Sequence, residues 1–226
     1  MPVTGIPLEG GSAAVSCPNG GPHWWPRRAW DLETTPWADV IPAAQAGLVS
    51  YRPDMTASHR ADFPNTVEIV VEIPRGSRNK YEFDEEAGVF RLDRILSSAV
   101  FYNFDYGFIE ETRAADGDHT DALLIIDAPT FTGCHVWGRP IGGLEMSDEN
   151  GFDFKVLCVA IGDPHQAHIF RLDQVRPHRL VEIEHFFQTY KLLEKKETEV
   201  IGWRDRDHAL EILRADRATW GREHAR

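Results

Sequence analysis

The chain has 226 residues, 42% of them hydrophobic and 27% charged, a globular balance that allows one ordinary core plus an appendage. Its net charge of −12 argues against a general nucleic-acid binder, because phosphate backbones attract basic surfaces. Apolar runs such as Ala122–Ile126 are far too short to cross a bilayer, and no basic-then-apolar leader opens the sequence, so a cytoplasmic protein is expected.

Cys17, Cys134 and Cys158 are scattered and lack CxxC spacing, which argues against a disulfide framework or a zinc site and fits a reducing compartment. Residues 1 to about 65 are rich in Gly, Pro, Ala and Trp and show little sustained periodicity. They read as an extended arm, with Trp24, Trp25, Trp30 and Trp37 packing on the main domain or on a neighbouring subunit. Strand signals begin near Thr66: the β-branched run Val67–Ile73 is stopped by Pro74 and Gly76. Lys80–Phe83 and Val89–Leu92 flank a turn ending in Gly88 and predict a hairpin. Further strands are expected at Ala122–Ile126, His135–Leu144 and Phe154–Ile161, so the elements suggest a small barrel or sandwich. Helices are predicted over Arg179–Lys195, with Ile183, Phe186, Phe187, Tyr190 and Leu193 on one face, and over Asp205–Trp220.

The densest chemical feature is Asp116-Gly117-Asp118-His119-Thr120-Asp121, directly before an apolar strand. Three carboxylates within six residues repel one another unless cations or hydrogen bonds neutralise them. A solvated acidic turn would also read this way; a calcium loop of the EF-hand type would not, since its sixth position needs Gly and is Asp121. Asp148, Glu149 and Asp153 form a second acidic set. Alternation puts Asp153 and Lys155 on one strand face, and likewise Lys80 and Glu82. Arg94, Lys191, Tyr102, Tyr106 and Tyr190 add donors, although each taken singly has a bland reading as core or surface. Aspartates without Cys or patterned His form an all-oxygen site that selects hard cations such as Mg²⁺ or Mn²⁺. Lys, Arg and Tyr supply donors to phosphate oxygens.

The motifs Glu72–Glu82 (EIPRGSRNKYE), Leu92–Arg94, Phe101–Ile109, Asp116–Asp121 (DGDHTD), Ser147–Lys155 and Phe186–Lys191, in that order, resemble the family I soluble inorganic pyrophosphatases. The resemblance runs from Pro36 to the second helix, and Thr35–Asp39 looks like the opening segment of longer members. It implies an α+β, mainly β fold: a five-stranded OB-like barrel with flanking helices, preceded by the extended N-terminal arm, with residues 1–35 as an extension and 36–226 as the catalytic domain. It also implies a homo-oligomer, diphosphate as substrate and several Mg²⁺ ions per site. By the same resemblance Asp116, Asp121 and Asp153 are the core metal ligands, Asp148 and Glu82 serve further metals, and Glu72 lies at the rim. Asp118 matches the general base. Lys80, Arg94, Tyr106, Tyr190 and Lys191 match phosphate-holding groups, and Lys155 and Tyr102 match supporting positions.

The chain departs from the family pattern at four places. His119 stands where Pro is usual, so a less rigid aspartate loop is expected. Asn103 and Glu110 replace prolines, and Asp105 replaces Asn, an added carboxylate expected to alter metal affinity or pH optimum. Two other readings stay open: a phosphohydrolase of short polyphosphates or nucleotides, and an OB-like binding module without activity.

Overall fold

The computed structural model describes residues 55–148, 151–196 and 198–225. The expected arm, the 35/36 boundary, the four N-terminal tryptophans, Cys17 and Glu149 lie outside the described residues. A short helix α1 (Met55–Ala61) leads into β1 (Val67–Ile73), whose burial pattern leaves only Glu68 and Glu72 partly exposed. The predicted hairpin forms as β2 (Asn79–Asp84) and β3 (Val89–Ile95), a separate two-stranded sheet. Then come β4 (Asp105–Ile109), β5 (Asp121–Ile125), β6 (His135–Asp148), β7 (Gly151–Ala160), α2 (Pro177–Thr189), β8 (Glu199–Arg204) and α3 (Arg206–Glu223).

Five strands close into a ring, β1-β4-β5-β7-β6 and back to β1, with β5–β7 parallel and the other pairs antiparallel. The fold is therefore mainly β with few helices. The 14-residue β6 makes closure possible: its start pairs with β1, its end pairs with β8, and the register slips between Pro140 and Gly142. Such a slip bends a strand enough to serve two neighbours. Between β1 and β4 the backbones approach so closely that a Cβ on Gly107 would sit 2.0 Å from the Val70 carbonyl oxygen.

Alternation sorts the core into two clusters. On β5 and β7, Leu123, Ile125, Leu157 and Val159 point to one side and pack with Ile183, Phe186 and Phe187 of α2. Ala122, Leu124, Val156 and Cys158 point to the other and pack with Ala209, Leu210 and Leu213 of α3. Asp121, Asp153 and Lys155 carry odd numbers on these two strands, which sets them on the α2 side.

The structure moves several predicted boundaries. α2 starts two residues earlier than expected, with Pro177 pre-set for a first turn, and ends at Thr189. Beyond it the chain makes a single 3-10 turn, Leu192–Glu194, and Lys195 turns left-handed at φ 57°. Tyr190 thus caps the helix instead of lying within it. α3 begins where expected, because the Asp205 carboxylate accepts from the His208 amide.

Candidate active site

The aspartate loop is shaped by its own backbone. Gly117 has φ +95°, a conformation that other residues adopt only with strain. The Asp118 amide donates to the Asp116 carboxylate at 3.1 Å, and the Ala114 amide donates to the Asp118 carbonyl at 2.8 Å. Strand β5 then starts at Asp121, beside Lys155 of β7 and opposite the tip of β4.

His119, which stands where Pro is usual, is held in this loop by contacts on several sides. Its ring stacks on Phe108 at 4.7 Å and lies 5.0 Å from Trp220 of α3. Nδ1 bonds the Thr112 carbonyl at 2.9 Å and Nε2 lies 2.7 Å from Glu85. Thr120 adds a 2.7 Å bond to Asp216 of α3. Aromatic and polar contacts thus take over the stiffening that a Pro ring would give. Asp105 also departs from expectation. It is fully buried and accepts from the Arg75 amide and from the amide and hydroxyl of Thr130, at 2.7, 2.9 and 2.7 Å. It points away from the site and acts as a loop anchor.

Thirteen of the fourteen residues singled out in the sequence border one cavity of about 620 Å³. The exception is Tyr102, which is 1% exposed and packed with Phe104 and Phe186 in the core. Asp116, Asp118, Asp121, Asp148 and Asp153 form one wall, from the loop, β5, β6 and β7. Lys80, Glu82 and Arg94 come from the hairpin, and Tyr190 and Lys191 from the end of α2. Glu72 lies deeper than a rim position: its carboxylate accepts from the Phe83 amide at 2.8 Å, and burial lifts its pKa to about 8. Four charged lining residues escaped sequence reading: Glu85, Asp93, Arg113 and Lys196. Asp93 had a signal beside Arg94 and comes 3.6 Å from Lys80. Glu85 and Arg113 had none, since their pairing spans 28 residues and exists only in the fold.

Charge organises the cavity. Lys155 is 3% exposed and its ammonium pairs with both Asp121 and Asp153, the latter at 2.8 Å. Burial alone would lower its pKa, but those two carboxylates outweigh burial and raise it. Its Nζ also donates to the Tyr106 hydroxyl at 3.3 Å. Lys191 pairs with Asp148 at 2.8 Å, and Arg94 with Asp93 and Glu194 at 2.5 and 3.2 Å. Lys80 pairs with Glu82 across the hairpin face, as alternation required. Even so, among the described residues the lining holds nine carboxylates against six Lys and Arg. Burial, then the like charges of Asp116 and Asp121, raise the pKa of Asp118; burial above all raises that of Asp153. Both carboxyls thus pay a burial cost in holding a negative charge. An all-oxygen donor set in that state fits hard divalent cations.

Among the described residues the cavity aspartates are not gathered in threes within 4.8 Å of one another. The trio that is gathered, Glu68, Glu110 and His135, lies outside the cavity and already has Arg60 at 2.6 Å from Glu68. The trio is an ion-pair cluster, whereas in the cavity the carboxylates outnumber the Lys and Arg side chains.

The sequence model described as "Inorganic pyrophosphatase" matches residues 69–221. The chain is 52% identical over 150 residues to the inorganic pyrophosphatase of Nostoc sp. PCC 7120, spanning 66% of this chain and 89% of that protein. It is 48% identical over 145 residues to that of Methanosarcina mazei, spanning 64% and 86%. The crystal structure of the Thermus thermophilus inorganic pyrophosphatase superposes with a TM-score of 0.69 at 45% identity, over 70% of this chain and 93% of that one. With more than half of the chain matched, and with the motif residues converging on one charged cavity, the chain belongs to the inorganic pyrophosphatase family.

Proposed function

We infer that the protein hydrolyses inorganic diphosphate to two orthophosphates in this cavity, using divalent cations such as Mg²⁺ or Mn²⁺. The observation that carries the reading is the cavity of about 620 Å³ itself, where Asp116, Asp118, Asp121, Asp148 and Asp153 are gathered with Lys80, Arg94, Tyr190 and Lys191. Asp116, Asp121 and Asp153 would hold the cations, with Asp148 and Glu82 serving further ones. When bound, such ions supply Lewis-acid charge that neutralises diphosphate oxygens and acidifies water.

The chain's own groups do the rest. Asp118 takes the proton from the attacking water as its oxygen bonds to one phosphorus. The bridging P–O bond breaks, and the proton leaves with the phosphate products. Lys80, Arg94, Tyr190 and Lys191 donate to the departing phosphate, where charge grows. Tyr106 holds phosphate beside Lys155, and Lys155 bridges Asp121 and Asp153 and orients them. Glu72 supports the hairpin edge through Phe83, and Tyr102 backs the site from the core. The ring of five strands, taken with this site, is read as an OB-like barrel in a catalytic domain spanning residues 36–226, working as a cytoplasmic homo-oligomer.

Phosphate release from diphosphate, with Mg²⁺ and with EDTA, tests the reading. Release with Mg²⁺ and none with EDTA is expected. No release with Mg²⁺, Mn²⁺ or Zn²⁺ would leave a binding module without activity. Faster release from tripolyphosphate or ATP than from diphosphate would move the substrate assignment.

A further inference from the structure

A second cavity, of about 530 Å³, shares no lining residue with the first. It lies at the far ends of the same two elements. On β5, Asp121 opens into the first cavity, whereas Ile125 and the following Ile126 and Asp127 border the second. On α2, Tyr190 at the C-cap belongs to the first, whereas Arg176 and Arg179 at the start belong to the second. Thirteen helical residues separate the two by about 20 Å.

In a chain of net charge −12, this cavity has the opposite character. Arg75, Arg176, Arg179, His165, His168 and His178 line it, with Asp127 and Glu182 as its acidic residues. Glu182 is engaged by His178 at 3.5 Å. The start of α2 has no side-chain cap and no acidic residue in its first turn, so the positive end of the helix faces more positive charge. Arg179 Nε is buried and has no hydrogen-bond partner, a costly state for a donor. Burial, then the nearby guanidinium of Arg75, lower the pKa of Arg179. Like charges collected at an uncapped helix start, in a cavity where three arginines meet two carboxylates, suit an anion.

We propose that this cavity binds a small phosphate-bearing anion, held by Arg179, Arg176 and the start of α2, at a site separate from the catalytic one. The ligand chemistry is a phosphate group with at least two free oxygens, which a guanidinium engages in pairs. Three sources carry that group: orthophosphate, a diphosphate and a nucleotide.

The test is calorimetric titration of the full chain in EDTA with orthophosphate, methylenediphosphonate and ATP in separate arms. Without divalent cations the carboxylate-lined cavity repels all three, so binding reports on the second cavity. Saturable one-to-one binding is expected in at least one arm, weakened ten-fold or more by Arg179→Gln and by the more exposed Arg176→Gln. Lys191→Met is expected to leave it unchanged. Either arginine variant suffices if the other fails to fold. The absence of saturable binding in all arms overturns the proposal. So does binding that survives both arginine variants or is lost in Lys191→Met. Diphosphate hydrolysis with Mg²⁺ is expected to stay within two-fold of the parent in Arg179→Gln. Absence of hydrolysis in every form, the parent included, would remove the catalytic reading and leave the anion site standing.

Discussion

At the scale of single residues, burial and the placement of like charges control the chemistry. Asp118 borders the cavity on a loop that holds its backbone at both ends, so Asp118→Asn changes one oxygen and little else. Its expected effect is a turnover loss on the order of 10²-fold or more in steady-state phosphate release, the usual worth of a general base. Turnover equal to the parent's would sink that role. Glu72 makes a different prediction. Its pKa is raised from 4.5 to about 8, so the folded chain keeps a proton that the unfolded chain has lost. The stability it contributes is complete below the lower value and is lost as pH rises through the higher one. In EDTA, urea unfolding should therefore show stability falling with pH across that window, by up to about 1.4 kcal/mol per pH unit from this group. Glu72→Gln should remove that part of the slope; an unchanged slope would assign it elsewhere.

At the scale of elements, α3 acts as a clamp on the aspartate loop. Trp220 covers His119 and takes the Arg113 guanidinium on its face at 4.8 Å, Asp216 accepts from Thr120, and the Arg113 amide donates to the Asp216 carbonyl. Trp220→Ala should cost about 1–3 kcal/mol, less than a fully buried Trp because the residue is partly exposed. By hydrogen exchange, the amides of Arg113, Ala114 and Gly117 should open faster, while Leu123–Ile125 stay protected; uniform acceleration would mean that α3 supports the whole ring and not the loop. This clamp was invisible in the sequence, because His119 read only as a missing Pro and Trp220 as one apolar residue on a weakly patterned helix. What local pattern controls was legible: the hairpin, β1, β5, β7 and the Asp205 start of α3. Asp105–Ile109 was not seen as a strand, because it opens on an Asp and has Gly107 at its centre, both poor strand formers chosen here for an anchor and a close approach. Glu199–Arg204 was lost for a similar reason, with Gly202 interrupting six residues. Asp105 was misread because alternation assigns a face only once a strand is recognised. The residues that line the cavity were marked directly by ordered motifs, and all of the fourteen but Tyr102 converge there.

At the scale of the whole molecule, α2 and β5 each join a carboxylate-rich cavity to an arginine-rich one, in a chain of net charge −12. Repulsion among the nine carboxylates of the described lining is a cost to the folded state that its six Lys and Arg side chains offset only in part. Unfolding disperses those carboxylates, so cations that bind the assembled cavity bind the folded state selectively. At a hundred times the dissociation constant, one such ion adds about 2.7 kcal/mol. For a chain of this size that corresponds to a rise of about 5–10 °C in Tm. Thermal melts with EDTA and with saturating Mg²⁺ should therefore separate by at least this much. Asp153→Asn should behave asymmetrically. Burying this carboxylate costs more than its pairing with Lys155 returns, so the Tm in EDTA should hold or rise; the change also removes a ligand, so the Mg²⁺-dependent rise should shrink by half or more. A variant that keeps the full rise would show that the cations are held elsewhere in the cavity. One that melts early in EDTA and keeps a normal rise would make Asp153 chiefly the partner of Lys155.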